Sequence, residues 1–343
     1  MEDEISPDNS KRKWLIAFLG VILVGLIAGG VYFLYHKNNK GSEGLDQFNL
    51  SVNTWVGYGP LYLAQEKGFF KDEGVNVNIT TLEDTAQRKA AMMNGTVDGL
   101  GDTVDLLVLS RDEGVPSVTV LQVDESNGAD GIVTKNDIKT VQGLKGKKIA
   151  VQKNFVGESF LMYVLKKNGM SLSDVDEVDT ESGAAGAAFA SGQVDAAVTF
   201  EPWLSKAKER KDGKVLVSSA DEPGVIVDTL SINASYLKNH PDTVKKVVRG
   251  WFKALDYWKA NPQESNEIMA KHYNVSTSEF ADLITGVKWP MLDENKTYFG
   301  VGNQKGKFFD VADTFSNAFL EIGSIKSKPN IDDAVDKSII NNL

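Results

Sequence analysis

The residues best suited to chemistry in this chain are acids and aromatic side chains at the ends of short apolar runs. Asp102 and Thr103 follow "VDGLG", Glu201 and Trp203 follow "AAVTF", and Asp130 and Asp228 lie within the runs at 128–135 and 225–233. Trp55, Tyr58 and Gly59 belong to "WVGYGP", and Asn154, Phe155, Glu158 and Ser159 to "VQKNFVGES". Gathered carboxylates suit an amine or another cationic head, and aromatic faces add cation–π or stacking contacts. The two glycine-containing stretches offer a different chemistry. Pro60 suits a first helical position, Gly57 and Gly59 admit close backbone approach, and free amides at helix starts form an anion site. The blander reading of any one loop aspartate is a turn former or cap, which describes Asp98 and Asp195 in a repeated Gly-x-Val-Asp.

Composition narrows the functions. Acidic residues outnumber basic ones 47 to 37, leaving no basic stripe for nucleic acid. Cysteine is absent, which removes disulfides, thiol catalysis and thiolate metal sites, and the three histidines, His36, His240 and His272, are scattered. Gly-x-Ser-x-Gly, His-Glu-x-x-His and the phosphate-loop motif are all missing, and "GVGNQKG" follows no β-type run. No catalytic residue, metal or cofactor is expected.

The elements that must position these residues alternate. Strand-type runs at 49–55, 75–82, 97–101 and 117–123 are separated by helical ones, and the pattern restarts with a strand at 147–152. Such alternation predicts α/β architecture with parallel sheets. "AAMMNGTVDGLGDTVDLL" aligns with "AAFASGQVDAAVTFEPWL", so the chain reads as two related lobes. The expected bounds are 48–127 with 226–343 for lobe 1 and 128–225 for lobe 2, joined by crossing strands at 128–135 and 225–233. From Pro241 the texture is helical: Val244, Val247, Val248, Trp251, Phe252, Leu255 and Trp258 recur near helical spacing, and Ser276 with Glu279 forms a capping box. Ligands of open α/β sheets bind beyond the carboxyl ends of strands, which is where the acids and glycines fall.

Ahead of the lobes, 14–35 is an uncharged, mostly apolar run, long enough for the roughly 20 residues that span a bilayer. Lys11, Arg12 and Lys13 place residues 1–13 in the cytoplasm and the remainder outside, with 36–47 as a tether. The alternative is a signal peptide cleaved near Ala28-Gly29-Gly30, which the continuing "VYFLY" disfavours.

"WVGYGPLYLAQEKGFFKDEGVNV", "NGTVDGLGD", "LKGKKIAVQ", "SGQVDAAVTFEPWLSKA" and "NPQES", in this order, resemble the extracytoplasmic solute-binding proteins of nitrate-, sulfonate- and taurine-type ABC importers. The resemblance implies a two-lobed class II periplasmic-binding-protein fold with a hinge, a small-molecule ligand, and an ABC permease with its cytoplasmic ATPase as partners. It places the site at the loops 55–59 and 154–159, at Asp102, and at Glu201 and Trp203. A taurine- or alkanesulfonate-like solute is the first expectation. The alternatives are an aminopyrimidine of thiamine-precursor type, a small organic cation, or a membrane-tethered sensor. A fungal thiamine-pyrimidine synthase resembles the same family, but its chemistry implies a cysteine-rich motif that this chain lacks.

Overall fold

A computed structural model describes residues 44–343; the anchor expected at 14–35, residues 1–13 and the tether up to 43 lie outside the described residues. Strand β1 (Asp46–Val52) begins inside the segment read as tether. It is followed by α1 (Gly59–Glu66), α2 (Phe69–Asp72), β2 (Val75–Thr81), α3 (Thr85–Met93), β3 (Gly99–Thr103), α4 (Val104–Asp112) and β4 (Ser117–Ser126). Then come β5 (Asp130–Lys135), β6 (Lys148–Val151), α5 (Val156–Lys167), β7 (Asp176–Asp179), α6 (Ser182–Ala190), β8 (Ala196–Phe200), α7 (Trp203–Lys208) and β9 (Gly213–Ser218). The chain continues through β10 (Val227–Asn233), α8 (Ala234–Asn239), α9 (Pro241–Ala260), α10 (Pro262–His272), α11 (Thr277–Leu283), β11 (Val287–Lys288), α12 (Leu292–Phe299), α13 (Lys307–Ile322) and α14 (Ser338–Asn341). Among the described residues no helix is long and apolar enough to cross a membrane.

The strands form two sheets. One has six strands in the order β11-β4-β10-β3-β1-β2, the other five in the order β7-β6-β8-β5-β9. The chain passes from the first to the second between β4 and β5 and returns between β9 and β10. Neither sheet is purely parallel, which corrects the expectation from the alternating pattern. β10 runs antiparallel to β3 and β4, and β5 antiparallel to β8 and β9. The reason is the crossing. A strand that enters its sheet from the other lobe starts at the edge where the resident parallel strands end.

The repeated Gly-x-Val-Asp does the same work in each sheet. The amide of Asn49 in β1 donates to Asp98 Oδ2 at 2.8 Å, and that of Lys148 in β6 donates to Asp195 Oδ2 at 3.2 Å. Each aspartate's own amide donates back, to the Asn49 and Lys148 carbonyls at 2.8 and 3.0 Å. The register that follows is equivalent, with Leu50 opposite Gly99 and Ile149 opposite Ala196. These aspartates therefore lock the third strand of each lobe to its first, beyond a turn whose glycine, Gly95 or Gly192, has φ near +75° or +79°.

The core of the larger lobe contains the stripe read from sequence. Val244, Val247, Val248, Trp251, Phe252 and Leu255 of α9 are buried, while Trp258 is only half-buried against the core, and Trp251 is among the largest fully enclosed side chains. Ser276 Oγ accepts the Glu279 amide at 3.1 Å, which is the N-cap half of the predicted box.

Replacing either locking aspartate with alanine leaves a strand amide without its acceptor. Asp98→Ala and Asp195→Ala are each expected to lower stability by about 1–3 kcal/mol in urea unfolding. Midpoints equal to wild type would show that the lock is dispensable.

Candidate ligand site

The carboxyl ends of β1, β3, β6 and β8 and the starts of β5 and β10 meet at one small cavity, with residues of both lobes in its wall. Trp55 and Tyr58 come from the loop after β1, Asp102 and Thr103 from the end of β3, and Asp228 from the start of β10. The second lobe supplies Asp130, Phe155 and Phe200. Seven of the residues predicted from sequence are thus brought together.

The loop after β1 is fixed by two buried acids. Trp55 Nε1 donates to Asp124 at 3.0 Å, and Tyr58 OH donates to Asp228 Oδ1 at 2.7 Å. Asp124 and Asp228 stand opposite each other in the β4–β10 ladder. Gly57 has to be glycine, because a Cβ there would overlap the Asp124 carboxylate. Gly101 lies under the Tyr58 ring, where a Cβ would come within 2.7 Å of Cζ. Two side chains hold the loop from outside: Tyr273 OH donates to the Trp55 carbonyl and Trp289 Nε1 to the Gly57 carbonyl, each at 2.8 Å. The space beside the start of α1, read from sequence as a place for a ligand anion, holds the protein's own Asp124.

The aromatic residues link the lobes. Trp55 meets Phe200 edge-on at 5.7 Å between ring centroids, and Phe155 lies 6.1 Å from Phe200. Trp203 packs behind Phe200 at 5.0 Å and over Gly183, outside the cavity wall.

The remaining predicted residues serve their own elements. Gly59 is the first residue of α1 and packs against Met269 and Phe280. Asn154, with φ of +54°, gives its amide to Glu158 Oε2 at 2.6 Å at the start of α5. It lines a separate, wider and open recess with Glu83, Asp84 and Glu181. Ser159 is buried in the first turn of α5, outside the cavity wall. Glu201 is also buried, but its carboxylate accepts the Ser205 amide and hydroxyl at 2.9 and 2.8 Å and pairs with Lys208 at 3.3 Å, capping α7.

Several wall residues escaped the sequence reading. Arg88 of α3 is 2% exposed and donates through Nη1 to the Gly101 carbonyl at 2.6 Å. Its signal was present: Thr85, Arg88 and Met92 share one buried helix face, where a guanidinium is out of place unless it has a task. Asp124, which stands behind the wall as the acceptor of Trp55, directly follows the run at 117–123 and satisfied the same strand-end rule as Asp102. Phe200 adjoins the predicted Glu201, and Asn53 lies two residues before Trp55.

Burial governs the electrostatics. The Asp130 carboxyl is pushed up to about 7, by burial first and then by the charge of Glu201. Asp102 is pushed up to about 6 by burial, against the lowering pull of Arg88. Asp124 and Asp228 lie well above the usual carboxylate range, again by burial, reinforced by neighbouring acids and partly offset by their aromatic donors. Such a group of acids is complementary to a cation or to a cluster of hydrogen-bond donors.

Two lobes, each an α/β sheet of matching strand order, with a cavity lined by both, define a periplasmic-binding-protein fold. The alkanesulfonate-binding protein SsuA of Xanthomonas axonopodis pv. citri, solved bound to MOPS, superposes with a TM-score of 0.72 at 18% identity, covering 86% of this chain and 99% of that one. The model of the family described as NMT1/THI5 like matches residues 55–265, and the chain belongs to that family. Similar curated proteins include the taurine-binding periplasmic protein of Escherichia coli, 27% identical over 62% of this chain and 68% of the relative. Another is the 4-amino-5-hydroxymethyl-2-methylpyrimidine phosphate synthase THI13 of Saccharomyces cerevisiae, 26% identical over 66% of this chain and 74% of the relative.

Because the folded-state values of Asp102 and Asp130 are raised from 3.8, the folded chain retains protons that the unfolded chain has lost. Their contribution to stability therefore falls as pH rises from about 4 to about 7. Asp130→Asn is expected to raise the melting temperature of the ligand-free chain at about pH 8 and to flatten its decline from about pH 5, an effect on the order of a few kcal/mol. A variant that melts like wild type at both pH values would remove Asp130 from this account.

Proposed function

We propose that this protein is the solute-binding component of an ABC importer, capturing a small polar organic solute between its lobes and delivering it to a permease driven by a cytoplasmic ATPase. Lobe 1 is taken as 48–127 with 226–343 and lobe 2 as 128–225. The lobes hinge on the two crossings. The observation that carries this reading is the cavity itself, whose wall draws Trp55, Tyr58, Asp102 and Asp228 from one sheet and Asp130, Phe155 and Phe200 from the other. A ligand held this way stabilises the closed arrangement by touching both lobes. The E. coli relative's taurine-binding role supports the transport reading. The absence of cysteine supports binding without covalent turnover. The apolar run at 14–35 supports an extracytoplasmic protein anchored in the membrane by its N-terminal segment.

Within the expected range of solutes, the wall favours those that carry an amine. Asp102, Asp130 and Asp228 line the cavity, while Arg88 is its one cationic side chain among the described residues. Taurine and an aminopyrimidine both satisfy this condition, and bare nitrate or a simple alkanesulfonate does not. As it stands the cavity has room for little more than a water molecule, so a solute enters only as the lobes part.

Thermal unfolding of the full chain against taurine, an alkanesulfonate, nitrate, hydroxymethyl-aminopyrimidine and choline tests the reading. A ligand at about 100 times its dissociation constant adds about 2.7 kcal/mol and raises the midpoint by several degrees. Binding of an amine should tighten between about pH 5.5 and pH 8, because it favours the ionised acids and releases their protons. Affinity for a sulfonate lacking an amine, tightening instead toward low pH, would sink the amine preference.

A further inference from the structure

We infer that Arg88 is a specificity-determining ligand residue, whose guanidinium takes a hydrogen-bond acceptor on the same solute whose amine the carboxylates hold. The inference rests on the amine-binding reading above and adds the second pole of the ligand. Arg88 lines the cavity and is 2% exposed. A guanidinium has five N–H donors. One is used on the Gly101 carbonyl at 2.6 Å, Nη2 lies 3.8 Å from Asp102 Oδ1, beyond hydrogen-bond reach, and Nε has no partner. The guanidinium carbon also lies 5.9 Å from the centroid of Phe155, so it faces a ring of the opposite lobe across the cavity.

A purely structural arginine at this depth would be expected to spend its donors on protein carbonyls or on a bidentate carboxylate. Arg88 is anchored at one corner and left with donors to spare. A second polar atom in the same wall is also incomplete: Asn53 is 7% exposed and its Oδ1 has no hydrogen-bond partner. Thr103 Oγ1 in this wall is unpartnered as well, and unpartnered buried groups of both donor and acceptor kind at one cavity describe the complement of a bipolar ligand. Its acceptor meets Arg88, and its donors meet Asn53 and the acids at Asp130 and Asp228. The acceptor is a sulfonate or carboxylate oxygen, or a ring nitrogen.

The test uses matched pairs in which the second member keeps the amine and loses the acceptor: taurine with ethylamine, and 4-aminopyrimidine with aniline. Dissociation constants are measured by calorimetry on the full chain. Wild type is expected to prefer the acceptor-bearing member of at least one pair by about tenfold or more, a difference of about 1.4 kcal/mol. In Arg88→Gln that preference should shrink to about threefold or less, with Arg88→Lys intermediate because it keeps a charged donor without the fork. A merely structural role would weaken both members of the pair alike and leave their ratio unchanged, which would overturn the inference. Should Arg88→Gln fail to fold, Arg88→Lys alone decides: an undiminished ratio counts against the inference, a reduced one for it. Wild type that binds an amine without discriminating within either pair overturns the inference alone. Wild type that binds none of the four overturns the amine reading and the inference with it.

Discussion

Two carboxyl groups out of water, Asp124 and Asp228, face each other across β4 and β10. Like charges in that position repel, and the surroundings are too dry for either to ionise freely. Their partners are the two aromatic donors of a single loop, Trp55 and Tyr58. This pairing explains why the loop after β1 is built as it is. Gly57 leaves room for Asp124, Gly101 leaves room for the Tyr58 ring, and Tyr273 and Trp289 hold the loop's carbonyls from the C-terminal helical region. The aromatic wall of the cavity is therefore positioned by the same acids that set its electrostatic character.

Those acids come together because of the crossings between lobes. Asp124 is near the end of β4, where the chain leaves the first sheet, Asp130 begins β5, where it enters the second, and Asp228 is near the start of β10, where it returns. The crossings are fastened to one another. The Ser126 and Ser219 hydroxyls are 2.7 Å apart, and the Gly128 amide donates to Ser219 Oγ at 2.6 Å. Antiparallel entry of β5 and β10 turns the starts of those strands toward the ends of the parallel ones. A site of this composition is thus a consequence of topology as much as of residue choice.

Much of this could be read from the sequence where a local rule applied. The repeat around Gly-x-Val-Asp gave away two equivalent units, because the same short helix-turn-strand pattern recurs in both, although each lock joins residues 49 or 47 positions apart. Strand ends marked Trp55, Tyr58, Asp102, Thr103, Asp130, Phe155 and Asp228 as cavity residues. The same rule also selected Glu201 and Trp203, whose side chains turn back onto α6 and α7; a strand-end position does not specify which way the next residue points. Edge strands were harder. β7 is the acidic stretch "DEVD" and β9 is only half-buried, so neither shows the apolar alternation that marks an inner strand.

What the sequence determined by itself was therefore the material: two α/β units, a helical C-terminal region, an acid-rich set of strand ends, and no cysteine for covalent work. These follow from periodicity and composition, which act over a few residues. What only the tertiary structure decided was which groups share a low-dielectric space. The facing of Asp124 and Asp228, the filling of the α1 start by a protein carboxylate, and the partly unsatisfied Arg88 inside the cavity all join residues far apart in the chain. The energy of such groups depends on how deeply they are buried and on which charges lie nearby, and both are properties of the assembled fold.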